Sequence, residues 1–152
     1  MTTLTKTIRI NAPSGKIFQR ITDQERLSEW LLFVDKTEYP LARRRGVTTL
    51  LKHEGNLLGR KISWESMVNQ WEENKRIGWI SKTGYPQKIL LKYHIELSPV
   101  ENETEVKMIV DYMLSTPFIG NVLDRWFYAK RMDRLLEKSL ENLKAILESQ
   151  PD

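Results

Sequence analysis

The chain has 152 residues, 40% of them apolar and 29% charged, a balance that suits one ordinary globular domain. It contains no cysteine, which rules out disulfides, thiolate metal sites, iron–sulfur clusters and a cysteine nucleophile. The net charge is +4, and the excess is local: residues 36–61 carry seven basic against two acidic side chains, and residues 100–152 carry seven against ten. No signal-peptide core is visible, and no stretch approaches the roughly 20 apolar residues of a membrane span. The expectation is a single domain over 1–152, located in the cytoplasm.

Residues 3–10 alternate as a strand, with Leu4, Ile8 and Ile10 on one parity. Pro13 stops it and opens a short helix over 14–21 that presents Ile17, Phe18 and Ile21. Asp23 is the expected N-cap of a second short helix ending at Trp30, where Leu27, Trp30 and Leu31 form one stripe. Strands are then predicted over 32–39 and 47–53, with Glu54-Gly55-Asn56 as a turn. A long strand over 57–71 follows, Gly59 allowing a bend near its start. Next come a polar turn at 72–75, a strand over 76–82 and a turn at Thr83-Gly84-Tyr85-Pro86.

The last two strands alternate most cleanly. Over 87–97, Ile89, Leu91, Tyr93, Ile95 and Leu97 oppose Lys88, Lys92, His94 and Glu96, with Leu90 the exception. After a turn at 99–104, Val106, Met108, Val110, Tyr112 and Leu114 oppose Glu105, Lys107 and Asp111, until Pro117 closes the run. This pattern marks an antiparallel sheet that is wet on one face. Residues 119–148 read as one long helix, with Val122, Trp126, Ala129, Met132, Leu136, Leu140, Leu143 and Leu147 spaced three or four apart. About thirty helical residues span about 45 Å, so the helix needs a long partner surface.

Thr7-Ile8-Arg9-Ile10-Asn11-Ala12-Pro13 followed by Ile17-Phe18 resembles the opening of the polyketide cyclase/dehydrase and lipid-transport proteins. These belong to the START-related (SRPBCC) superfamily that includes the birch-pollen allergens. Thr22-Asp23 with Trp30, the stretch from Trp64 to Trp79 centred on Trp71-Glu72-Glu73-Asn74-Lys75-Arg76, and the final amphipathic helix are similar to later segments of that family. The resemblance covers essentially the whole chain. It implies an α+β helix-grip fold: a strongly curved antiparallel sheet of six to seven strands, two short helices near the N-terminus, and one long C-terminal helix across the sheet. It also implies a cavity between sheet and helix for lipids, sterols, polyketides or other apolar ligands. It carries no common catalytic residues, because the motifs are architectural.

The candidate pocket-lining residues are Trp64, Trp79, Leu91, Tyr93, Met108, Val110, Tyr112, Trp126 and Met132. Large flat or flexible apolar side chains suit the wall of an apolar site, and they equally suit an ordinary core. Tyr93 and Tyr112 would each aim a hydroxyl at a ligand oxygen. The parity of residues 57–71 is ambiguous: Ile62, Trp64 and Val68 share one face, Met67 and Trp71 the other. Glu65 would face inward only with Met67. His94 shares the solvent parity of Lys92 and Glu96, Asp111 is opposite to Tyr112, and His53 shows no local partner. No metal-ligand spacing, nucleophile elbow or phosphate loop is present, so neither metal nor cofactor is expected.

Three readings follow. The first is binding or transport of a hydrophobic small molecule without catalysis. The second is a cyclase or dehydratase of polyketide-like substrates, with Tyr93, Tyr112 or Glu65 supplying the acid or base. The third is a protein- or membrane-interaction module that uses the basic segment from Arg43 to Lys61, above all Arg43, Arg44 and Arg45. No nucleic-acid partner is expected.

Overall fold

The computed structural model describes residues 2–57, 59–85, 90–113 and 122–149. Strand β1 (Thr2–Ile10) is followed by helix α1 (Ser14–Ile21) and a 3₁₀ helix (Gln24–Glu29). Six strands come next: β2 (Val34–Glu38), β3 (Leu50–Leu57), β4 (Arg60–Glu72), β5 (Arg76–Tyr85), β6 (Leu90–Val100) and β7 (Glu103–Met113). Helix α2 (Val122–Ser149) follows them. The strands form one antiparallel sheet in the order β1-β7-β6-β5-β4-β3-β2. The chain therefore runs down a meander, except that β1 closes against β7. Register shifts at Val34/Lys36, Glu65/Ser66 and Val68/Gln70 mark bulges, which bend strands and increase their twist.

The alternation seen in the sequence fixes the inner face. Leu91, Tyr93, Ile95 and Leu97 of β6 are buried, as are Val106, Met108, Val110 and Tyr112 of β7. β4 settles in favour of Ile62, Trp64, Ser66 and Val68 facing inward, while Glu65 is exposed. Met132, Leu136, Leu140, Leu143 and Leu147 bury the inner stripe of α2. Each contributes roughly 1.5–3 kcal/mol of apolar burial. Lys6 of β1 reaches Asp133 at 3.1 Å. Ser139 accepts the Leu32 amide at 3.0 Å and donates to the Leu135 carbonyl at 2.9 Å, tying the helix to the segment before β2.

Several boundaries differ from the sequence expectation, each for a local reason. The second short helix is 3₁₀, and Asp23 caps it without a side-chain hydrogen bond. Glu54-Gly55-Asn56 is not a turn: β3 runs through it to Leu57, and the reversal falls at Gly59, whose φ is +90°. A Cβ on Gly55 would lie 2.0 Å from the Phe33 carbonyl oxygen, so this glycine serves close backbone approach of β2. β5 continues through Thr83 and Gly84 to Tyr85, and the β6–β7 turn shrinks to Glu101 and Asn102, with Glu101 at φ 57°. The expectations at Pro86, Leu114 and Pro117 lie outside the described residues.

Candidate functional site

Side chains from four strands and one connector meet on the concave side of the sheet. Trp79 and Tyr93 are a cross-strand pair of β5 and β6, and their rings stack with centroids 4.6 Å apart. His53 and Trp64 are the equivalent pair of β3 and β4, stacked at 4.7 Å. Phe33, just before β2, bridges the two stacks, 6.0 Å from Trp64 and 6.1 Å from Tyr93. The result is one aromatic row across the middle of the sheet. Cross-strand stacking of this kind adds to the plain burial of the rings.

Beside this row, Phe33, Leu57, Ile62, Leu91, Tyr112 and Met132 enclose a wholly apolar cavity, closed on one side by Leu90. Its volume is about 10 Å³, room for about one water-sized sphere. Around this cavity the described inner side chains close on one another. Leu90 lines the cavity and is 42% exposed.

Of the residues expected to line a pocket, Trp64, Trp79, Leu91, Tyr93, Met108, Val110, Tyr112 and Met132 are all buried on the inner surface. Leu91, Tyr112 and Met132 border the cavity directly. Trp126 does not share the buried stripe of α2: it is 60% exposed. It lies six residues before Met132, which rotates it about 120° around a helix of 3.6 residues per turn. A chain of three- and four-residue steps drifted off the inner face at that point.

The polar groups left unpartnered inside can all donate a hydrogen bond. The Trp79 indole N–H donates to Gln24 Oε1, and Tyr39 Oη accepts the backbone N–H of Gln24 at 3.3 Å. Gln24 Nε2, Trp30 Nε1, Trp64 Nε1 and the Tyr93 hydroxyl are buried without any hydrogen-bond partner. Such groups cost about 1–3 kcal/mol each, so four of them in one core need a reason. Burial pushes the Tyr93 hydroxyl well above its usual pKa of 10, so it remains a donor at any physiological pH. The Tyr112 hydroxyl is also raised, by burial first, against a hydrogen bond with Thr2. Among the described residues no Asp, Glu or Lys is buried, and Arg20, which is, pairs with Glu29 at 2.7 Å.

Sequence reading missed His53. It is buried, with Nδ1 2.9 Å from Thr37 Oγ1 and Nε2 2.7 Å from Ser66 Oγ. Burial pushes its pKa down to about 3, so the ring is neutral, one nitrogen donating and the other accepting. The signal was available: His53 shares parity with Leu51, Gly55 and Leu57, but the expected turn at Gly55 cut the strand short. Phe33 was missed because the run Leu31-Leu32-Phe33-Val34 has no period to read.

The other candidates face outward. Glu65 is exposed on β4, and His94 lies 3.5 Å from Glu96 on the outer face. Asp111 accepts a hydrogen bond from Thr3. In the basic loop, Arg44 pairs with Glu25 and lies over the Tyr39 ring. Arg45 pairs with Glu73 at 2.9 Å and lies 4.9 Å above Trp71. Two of the three loop arginines are therefore held by the protein's own side chains. Among the described residues, no helix is long and apolar enough to cross a membrane.

A seven-stranded antiparallel sheet closed by one long helix around an apolar, donor-bearing interior defines a helix-grip protein of the START-like class. The chain belongs to the polyketide cyclase/dehydrase and lipid transport family, whose model matches residues 1–148. Among solved structures, a Thermus thermophilus protein superposes with a TM-score of 0.81 at 22% identity, covering 98% of this chain and 100% of the other. The Zhui aromatase/cyclase of a Streptomyces species superposes at 0.79 with 12% identity, covering 97% and 93%. A START superfamily protein of Mycobacterium smegmatis gives 0.75 at 17%, covering 95% and 98%. At these identities the likeness is one of fold. No curated protein matches the chain significantly.

Proposed function

We propose that this chain binds a neutral, largely apolar small molecule with acceptor oxygens, such as an aromatic ketone, between the sheet and α2, and that it holds this ligand without transforming it. The observation that carries this reading is the pair of unpartnered donors on the aromatic row, Trp64 Nε1 and the Tyr93 hydroxyl. A ligand carbonyl would satisfy either of them, which the protein's own side chains do not. The lack of a buried carboxylate or lysine among the described residues disfavours a charged ligand, since a buried ion needs a partner.

The same inventory weighs against catalysis. Glu65 points to solvent, His53 is too weak a base near neutral pH, and Tyr93 can donate a hydrogen bond but not accept a proton. A cyclase or dehydratase reading draws on Tyr93 alone, as a donor that would polarise a bound carbonyl.

The test compares an aromatic ketone with its parent hydrocarbon, for example anthraquinone and anthracene, by calorimetry or tryptophan quenching. Tyr93→Phe is expected to weaken ketone binding by about 3- to 10-fold, the worth of one hydrogen bond, and to leave the hydrocarbon unchanged. Failure of the wild-type protein to bind either compound at saturating concentration would sink the reading.

A further inference from the structure

The outer face of α2 carries two large aromatic side chains that the core does not use. Trp126 is 60% exposed and Phe127 53%. Each is covered from one side by a cation four residues on: Lys130 Nζ lies 4.3 Å from the Trp126 ring centroid, and the Arg131 guanidinium 5.5 Å from that of Phe127. Arg134, on the next turn, is exposed as well. The intervening carboxylate, Asp133, turns away to Lys6 of β1. The patch is therefore both apolar and net positive.

Its position matters. Trp126 lies less than two turns before Met132, which lines the cavity from the other side of the same helix. Leu90 borders that cavity while exposed, and its cross-strand partner Met113 is 43% exposed. Exposed indole and phenyl rings interleaved with lysine and arginine match the physics of the membrane–water boundary. There the rings sit at headgroup depth and the long cationic side chains reach the phosphates. An acidic protein surface would meet the charges but would not need two rings standing clear of the helix.

We propose that this end of the molecule docks on an anionic phospholipid bilayer. Trp126 and Phe127 enter the headgroup boundary, and Lys130, Arg131 and Arg134 face the lipid phosphates. Docking itself stands on the patch alone. Its use, passage of an apolar ligand past Leu90 without crossing water, rests on the binding function proposed above. The surface is distinct from the loop at Arg44 and Arg45, whose charges Glu25 and Glu73 engage.

Flotation of the full chain with phosphatidylcholine vesicles, with and without phosphatidylserine, tests it. Binding is expected to the anionic vesicles only, and to weaken as salt rises. The W126A/F127A variant is expected to lose at least about ten-fold in partitioning. K130E/R131E should abolish the preference for phosphatidylserine, and R44A/R45A should bind as wild type. Circular dichroism confirms that these exposed substitutions leave the fold intact. Absence of binding at low salt, equal binding to neutral vesicles, or wild-type binding by W126A/F127A each overturns the proposal. So does a lipid-free dimer that W126A/F127A dissolves, which would make a second copy the occupant. Anthraquinone binding in solution, measured on the same variants, is expected to be unchanged, so failure to dock and failure to bind ligand are told apart.

Discussion

The imidazole of His53 lies nearly flat on the indole of Trp64, and both of its nitrogens are engaged by hydroxyls, those of Thr37 and Ser66. The ring is accommodated as a neutral group. Its pKa falls from an ordinary 6.5 to about 3 because burial penalises the charged form. The unfolded chain therefore binds a proton at His53 that the folded chain refuses. The stabilising contribution is complete above about pH 6.5 and is lost as pH falls from there toward about 3, at up to about 1.4 kcal/mol per pH unit. Denaturant titrations between pH 7 and pH 5 check this. The window lies above that of paired carboxylates such as Glu29, which the Arg26 hydrogen bond holds below the usual range. A His53→Asn variant is expected to be less stable overall but flatter with pH. Parallel curves for wild type and variant would remove His53 as the cause.

Gly55 sits opposite Val34 at the bulge of β2, and the Phe33 carbonyl oxygen accepts the Asn56 amide at 3.3 Å. A methyl group at Gly55 meets that carbonyl at 2.0 Å, its carbon at 3.0 Å and Val34 Cα at 3.3 Å. These atoms are backbone, so a strand must move. Gly55→Ala is expected to cost more than about 2–3 kcal/mol, lowering the melting temperature by roughly 5–10 °C. Gly59→Ala is the control: φ is +90°, yet nothing lies within 4 Å of the new methyl, so only backbone strain of about 1–2 kcal/mol is incurred. A Gly55→Ala protein as stable as the Gly59→Ala protein would contradict the close-approach role.

These two residues also show what the sequence did and did not disclose. β6 and β7 were legible because each has one wet face, so alternation survives along most of their length. The inner stripe of α2 from Met132 to Leu147 was legible because a long helix repeats its period often enough to be unmistakable. Gly55 was misread because glycine marks both turns and close approaches, and only the partner strand distinguishes them. That one misreading hid His53 two residues earlier and, with it, the contacts to Ser66 and Thr37. Trp126 was misplaced because a step of three or four residues is tolerant and accumulates angular error. The unpartnered indole of Trp64 and hydroxyl of Tyr93 were illegible in principle, since a missing partner is a property of all the neighbours at once.

Phe33 joins the two aromatic stacks and walls the small cavity, so it controls how much space the interior offers. Replacing it with Ala removes a ring at full burial, with an expected loss of about 3–5 kcal/mol. Phe33→Leu keeps more of the volume and is expected to cost about 1–2 kcal/mol, which guards against outright unfolding. Both variants enlarge an apolar, water-poor space beside Leu91, Tyr112 and Met132. An apolar ligand that fills it restores lost burial, so its stabilising effect should exceed that in the wild type. The check is the shift in melting temperature produced by naphthalene or anthracene in each protein. A larger shift in the Phe33 variants places the ligand in this interior. An unchanged shift, with the variants still folded, would mean that hydrophobic ligands bind elsewhere and that the aromatic row is purely a core.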